Sequence, residues 1–235
     1  MEEEVALQRR YYARTAERYE DMHGADEFAP GFAFLSGAIE WLQIRSVLDI
    51  GSGTGRTLRQ LKARFPELRV MGIEPSEQLR EVGYRSRVSR SDLIDGDARA
   101  LAFDDQAFDL VCEFGALHHI PVPDLAVAEM LRVSRRAIFI CDGNNFGQGS
   151  APVRAVKHLL RALRLWKLAD LVKTRGKGYS ITEGDGVAYS YSVFSNWQQI
   201  ARACHPIHVV NTDGDGRAAS WGASGIALLG IKRPE

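Results

Sequence analysis

The segment VLDIGSGTGRT, residues 47–57, constrains this chain more than any other. An apolar, β-branched run stops at three glycines spaced by one residue, Gly51, Gly53 and Gly55, and a charged, helix-forming stretch follows. Glycine adopts positive φ without steric cost, so the spacing predicts a sharp strand-to-helix turn whose amides stay open to a ligand. A Walker A loop does not fit, because Ile50 stands where its first glycine is required and Arg56 where its lysine is. A dinucleotide fingerprint, GxGxxG, would put its third glycine on Arg56. What remains is a GxGxG turn with an acidic residue, Asp49, two positions before it.

The surrounding pattern says what the turn is built into. Short apolar runs at 46–50, 69–73, 92–95, 108–114 and 137–142 alternate with helix-like stretches at 54–65, 76–87 and 124–134. Strands separated by helices at this spacing read as βαβ units, hence an α/β doubly wound, mostly parallel sheet covered on both faces. Runs at 207–212 and 225–231, joined by the turn-rich NTDGDGRAASWG, suit a closing hairpin. Residues 4–21 read as a leading helix with Tyr11, Tyr12 and Tyr19 near one face and Gly24 as its stop. Residues 152–173 read as one amphipathic helix with Pro152 in its first turn. With no repeat and no separate linker, the expected organisation is a single domain over 1–235, residues 1–24 forming a lid and 143–195 an insertion over the substrate.

Composition narrows the classes. The 235 residues carry 30 Lys+Arg against 30 Asp+Glu, with 45% hydrophobic and 26% charged residues, which excludes disorder of the whole chain and a globally basic nucleic-acid binder. The acidic start MEEEVALQRR is not a secretory signal, and no apolar run is long enough to span a membrane, so the expected location is cytoplasmic. Cys112, Cys141 and Cys204 have no metal-ligand spacing, and the first two lie in strand-like runs as core residues. The charge is uneven, however. Residues 151–178 hold eight lysines and arginines against Asp170 alone, a surplus of +7 that leaves −7 for the rest. Leucines interleave with that charge, a pattern compatible with a membrane surface, an anionic substrate, a partner protein, or a solvated face over a buried leucine stripe.

With its neighbours, VLDIGSGTG resembles the first motif of the class I S-adenosylmethionine-dependent methyltransferases. Glu74 ends the second run in VMGIEPS, 23 residues after Gly51, where a carboxylate can accept both ribose hydroxyls and would repel a 2′-phosphate. Asp97 in DGDARAL and the block AFDDQAFDLVCEFGALHHI also match that family's pattern. The resemblance is greatest to the ubiquinone/menaquinone-biosynthesis-like subgroup acting on small molecules, and covers about residues 11–142. Ala102 and Glu113 depart from it, where proline and a small residue are common. The resemblance implies strand order 3-2-1-4-5-7-6 with the last strand antiparallel. It further implies an S-adenosylmethionine site drawn from Tyr12, Tyr19, Asp49, Gly51, Ser52, Gly53, Gly55, Glu74, Pro75, Asp97, Ala98, Glu113 and Phe114, with S-adenosylhomocysteine as product.

The implied chemistry is attack by an acceptor on a sulfonium methyl, which asks the protein for alignment and desolvation and needs no metal. A base helps if the acceptor is a hydroxyl or weakly acidic carbon. His118 and His119 follow the fourth run, at the sheet edge where such folds bind ligands, and are the candidate catalytic residues; packing on the cofactor or capping a helix is the plainer role. Asp142 sits at an equivalent edge, although DGN also makes an ordinary turn. Asp49 is expected to orient the loop, and the four tryptophans to pack. An oxygen or carbon acceptor ranks ahead of nitrogen because no NPPY-like motif occurs. The expected state is a monomer or homodimer. Two rivals stand beside the enzyme: a partner protein that binds the cofactor without turnover, and an adenine-dinucleotide oxidoreductase.

Overall fold

The computed structural model describes residues 2–22, 24 and 27–233. Met1 and His23 of the expected lid, and the two carboxyl-terminal residues of the expected single domain, lie outside the described residues. In chain order the elements open with α1 (Glu2–Thr15), a 3-10 turn, α2 (Tyr19–Met22) and α3 (Ala29–Trp41). The alternating part follows as β1 (Ser46–Ile50), α4 (Arg56–Arg64), β2 (Arg69–Ile73), α5 (Glu77–Arg85), β3 (Leu93–Ile94), β4 (Phe108–Phe114), α6 (Pro123–Val133) and β5 (Ser134–Gly143). Then come α7 (Ala151–Ala162), α8 (Trp166–Lys173), the hairpin β6 (Tyr179–Thr182) and β7 (Gly186–Tyr189), α9 (Trp197–Ala203), β8 (Cys204–Asn211) and β9 (Gly225–Lys232).

Seven of these strands form one sheet in the order β3-β2-β1-β4-β5-β9-β8, parallel from β3 to β5. β9 runs antiparallel between β5 and β8, which is the order expected once β6 and β7 are set aside. The apolar runs are nearly continuous because both faces of the sheet are covered. Leu48 and Ile50 point to the face where α6 and α9 pack with Val127, Met130 and Ile200. Val47 points to the opposite face, against Leu35 and Ile39 of α3 and Leu58 and Leu61 of α4. Each such leucine or isoleucine stabilises the fold by about 1.5–3 kcal/mol of transfer energy, enough to fix the register of β1 between β2 and β4.

The structure departs from the sequence reading in four places. Helix α3 was not expected, because Pro30, Gly31 and Gly37 mask its apolar face. The helix expected over 152–173 is two helices, broken where Arg164 takes φ +60 and Leu165 N–H bonds back to Leu160 O. Its apolar stripe is not buried: Val156, Leu159, Leu163, Leu168 and Val172 are all more than half exposed. Trp41 and Trp221, expected to pack, lie on the surface, Trp221 stacked on His158. Cys112 and Cys141 are core residues, as expected.

Candidate active site

The β1–α4 turn shows what the glycine spacing does. Gly51, Gly53 and Gly55 have φ of +67, +56 and +72, and Gly55 is the N-cap of α4. A Cβ on Gly51 would stand 2.5 Å from Ala116 Cβ in the loop after β4, so a side chain here is excluded by contact as well as by φ. The turn is tied to β2 through Glu74, whose buried carboxylate accepts the Gly53 N–H at 3.0 Å and the Ser76 N–H at 2.8 Å. Burial outweighs these bonds and raises the Glu74 pKa from 4.5 to about 7.

Glu74 faces a cavity of about 230 Å³ at the carboxyl edge of the sheet, whose walls include Tyr12, Tyr19, Gly51, Pro75, Asp97, Ala98 and His119. A smaller recess beside it is lined by Tyr19, Asp49, Gly51, Ser52, Arg56, Thr57 and Phe114. Asp49 is 1% exposed, its Oδ2 has no hydrogen-bond partner, and burial raises its pKa from 3.8 to about 7. Asp49, expected to orient the loop, meets it through its backbone, Ser52 Oγ donating to the Asp49 backbone oxygen at 2.8 Å. The carboxylate faces the recess, with Oδ1 accepting from Cys112 Sγ at 3.6 Å and Oδ2 without a partner among the described residues.

The leading helix closes over this cavity. Tyr12 and Tyr19 meet edge to face at 5.9 Å, Tyr12 lies 6.3 Å from the His119 ring, and burial raises both tyrosine pKa values. Gln8 and Tyr11 anchor the helix to the β6–β7 hairpin, Gln8 Oε1 accepting the Val187 N–H at 2.6 Å and Tyr11 donating to Glu183 O at 2.9 Å. Asp97 sits at the rim, paired with Arg99 at 2.7 Å, a bond that lowers its pKa.

Three expected cofactor residues serve the walls instead of lining either cavity. Gly53 supplies its N–H to Glu74, and Gly55 turns the chain into α4. Glu113 is fully buried beneath the loop after β4, where it accepts the Ala116 N–H at 2.9 Å and the Leu117 N–H at 3.4 Å. Burial, then the neighbouring Asp142, raises its pKa well above the usual carboxylate value.

His118 and His119 point different ways. His118 Nδ1 lies 2.7 Å from Asp142 Oδ1, and its backbone N–H donates to Asp142 Oδ2 at 3.1 Å, so Asp142 is the fixture that orients this ring. Burial opposes a charge on His118, but Asp142 and Asp185 reverse that and raise its pKa well above the usual value. His119 Nδ1 donates to Val187 O at 2.6 Å. The Nε2 atoms of both rings face Asp185, each at 3.3 Å. Asp185 sits in the turn between β6 and β7, and sequence reasoning missed it because EGDG reads only as a loop. On the far side of His118 and Asp185 lies a second cavity of about 490 Å³, with Phe28, Asp142, Lys173, Tyr191 and Asp213 in its walls. The histidine–aspartate cluster thus stands between the two cavities.

The strand order, the glycine turn at the edge of β1 and the acidic residue ending β2 define a class I S-adenosylmethionine-dependent methyltransferase fold. Residues 47–137 match the family described as a methyltransferase domain, and that match together with the fold implies S-adenosylmethionine as the cofactor. A phosphatidylethanolamine N-methyltransferase from Cereibacter sphaeroides is 30% identical over 130 residues, 48% of this chain and 57% of its own length. A demethylmenaquinone methyltransferase from Thermotoga maritima is 30% identical over 105 residues, 43% and 45% respectively. The chain therefore spans about half the length of the curated relatives it matches. Among solved structures, a SAM-dependent methyltransferase from Thermotoga maritima superposes with TM-score 0.58 at 19% identity, over 95% of this chain and 99% of the other. One from Methanosarcina mazei gives 0.56 at 16% identity, over 81% and 93%. At such identity the likeness is one of fold.

Proposed function

We propose that this protein transfers a methyl group from S-adenosylmethionine to an oxygen or carbon of a small, lipid-linked acceptor. The observation that carries the reading is the pair of buried carboxylates around one glycine turn, Glu74 on the larger cavity and Asp49, with Oδ2 unpaired, on the recess. They fit the cofactor's two ends. Glu74 retains acceptor capacity for ribose hydroxyls, and Asp49 offers an anion to the ammonium of the methionyl group, with Arg56 and Thr57 near for its carboxylate. Asp97 at the rim suits the adenine amino group.

When bound, the cofactor supplies an activated methyl on sulfur. The chain's own residues do the remainder. Tyr12 and Tyr19 exclude water from above, the Gly51 turn leaves room for close approach, and the loop carrying His118 and His119 faces the acceptor's side. His118 and His119 lie where a departing acceptor proton must be handled, with Asp142 and Asp185 fixing their rings.

The acceptor class follows from the outer surface. Val156, Leu159, Leu168 and Val172 on α7 and α8, with Leu163 between the two helices, stand exposed among the basic residues of that segment, a combination suited to an anionic lipid surface. The basic side chains do not crowd the acceptor cavity, whose walls hold Lys173 against Glu27, Asp142, Asp185 and Asp213, so the cations are better matched to a headgroup layer than to the acceptor itself. Two of the similar proteins are named for demethylmenaquinone and phosphatidylethanolamine, which are lipids as well. The test is incorporation of a radiolabelled methyl group into reduced quinones and phospholipids presented in vesicles. Label in a lipid fraction is expected, and label confined to water-soluble acceptors overturns the lipid assignment.

A further inference from the structure

Two histidines and one aspartate converge between the cofactor cavity and the acceptor cavity. In such a cluster the hydrogen-bond partners of the remote ring nitrogens fix what the near ones can do. Val187 O can only accept, so the 2.6 Å contact places the His119 proton on Nδ1 and leaves Nε2 as a lone pair. Asp142 likewise holds a proton on His118 Nδ1, its Oδ1 accepting at 2.7 Å. Both Nε2 atoms then face the Asp185 carboxylate, that of His118 giving up its proton when a cation binds, and the three ligand atoms lie within 4.8 Å of one another. Metal-binding histidines have this arrangement, the remote N–H donated to a carboxylate or a backbone carbonyl so that tautomer and ring orientation are fixed.

The distances point the same way. His118 Nε2 stands 3.3 Å from Asp185 Oδ2 and His119 Nε2 3.3 Å from Asp185 Oδ1, so the carboxylate presents one oxygen to each ring. A charge-assisted N–H···O bond to a carboxylate would be shorter, about 2.7–2.9 Å. Two ligands at about 2.0–2.1 Å from a tetrahedral ion stand about 3.3 Å apart. No other group of three histidine, cysteine or acidic side chains among the described residues meets the same spacing.

We propose that His118 Nε2, His119 Nε2 and Asp185 form a three-ligand site for a divalent transition-metal cation, with zinc the best chemical match and a fourth position left for a ligand. Two imidazoles and a carboxylate are a borderline donor set that suits zinc better than magnesium or calcium, and three protein ligands with one open position are the pattern of catalytic zinc sites. His119 lines the cofactor cavity while His118 and Asp185 line the other, so the ion would sit at their junction. A hydroxyl of the acceptor on the fourth position would be acidified by the ion and release its proton to solvent, leaving an oxygen nucleophile. This use rests on the methyl-transfer reading; the site itself does not. It departs from the expectation that the chemistry needs no metal, and the third ligand lies far along the sequence from the histidine pair.

The test uses chelator-treated full-length protein titrated with cobalt(II), whose visible absorption reports tetrahedral coordination, and with zinc as competitor. One equivalent of cobalt per chain, displaced by zinc, is expected. Asp185→Ala and His118→Ala should lose the band, and Asp142→Asn should weaken binding about 10–100-fold. S-adenosylhomocysteine titration of each variant checks that the fold is intact. Absence of a band in wild-type protein, or a band unchanged in folded Asp185→Ala, overturns the proposal. If the band forms but S-adenosylhomocysteine does not bind, the cation site stands and the methyltransferase reading falls.

Discussion

Replacing Glu74 by glutamine separates the structural from the binding role of this residue, because the two respond differently to pH. In the folded chain burial raises the Glu74 pKa to about 7 against an ordinary 4.5. A group of this kind binds its proton more tightly when folded, so its contribution to stability falls as pH rises from about 4.5 to about 7. Above that the ionised carboxylate costs about 3.5 kcal/mol, the free-energy equivalent of a pKa raised from 4.5 to about 7. Glutamine removes this cost. It also puts an NH2 where one carboxylate oxygen accepted a backbone N–H, either Gly53 at 3.0 Å or Ser76 at 2.8 Å, and leaves that donor unpaired at a cost of about 1–3 kcal/mol. Glu74→Gln should therefore destabilise the cofactor-free protein at pH 5, and leave it near wild type or slightly more stable at pH 8. Thermal melts at the two pH values read this directly. Affinity for S-adenosylhomocysteine at pH 8 should drop about 10–100-fold through loss of charge-assisted bonds to the ribose, as measured by calorimetry. Unchanged affinity would mean that the ribose does not meet Glu74, and an equal loss of stability at both pH values would refute the buried-charge argument.

Three further outcomes follow from the same geometry. Because the Asp49 pKa is raised to about 7 and Oδ2 is unpaired, S-adenosylhomocysteine should bind more tightly as pH rises from 6 to 8, and Asp49→Asn should flatten that dependence; a parallel profile in the variant would deny Asp49 the ammonium. Gly51→Ala should cost about 1–3 kcal/mol in a chemical-denaturation midpoint, with Ala116→Gly recovering only the part due to the 2.5 Å contact and not the part due to φ. Full recovery would show that backbone conformation contributes nothing there. In vesicle co-sedimentation, anionic lipid should retain more protein than neutral lipid, and Arg161→Gln with Arg164→Gln should reduce the difference; equal recovery on both lipids, untouched by the substitutions, removes the membrane role of α7 and α8.

Much of the fold was legible because burial on both faces of a parallel sheet leaves a plain mark. β1, β2 and β4 coincide with their apolar runs, and the glycine turn with its acidic neighbours marks the cavity edge. What was hidden depends on contacts between distant segments. Helix α3 is held by packing against the sheet, where Gly31 lies against Cys141 Sγ, and not by the propensities of a stretch containing proline and two glycines. The break at Arg164 carries no glycine or proline, so the apolar period runs through it unmarked. Asp185 belongs to the site only because Gln8, Tyr11 and His119 bring the β6–β7 hairpin against the leading helix and the loop after β4. Glu113 was assigned to the cofactor site by the resemblance although it departs from the family pattern, and it faces the interior, where one carboxylate oxygen accepts from the amides of Ala116 and Leu117.

The most direct measurement is a calorimetric titration of the full chain with S-adenosylhomocysteine, repeated with NADH. One equivalent should bind per chain, in competition with S-adenosylmethionine, and NADH should bind far more weakly. No binding of either sulfur compound, or tighter binding of NADH, would contradict the reading of this cavity as the methyl-donor site.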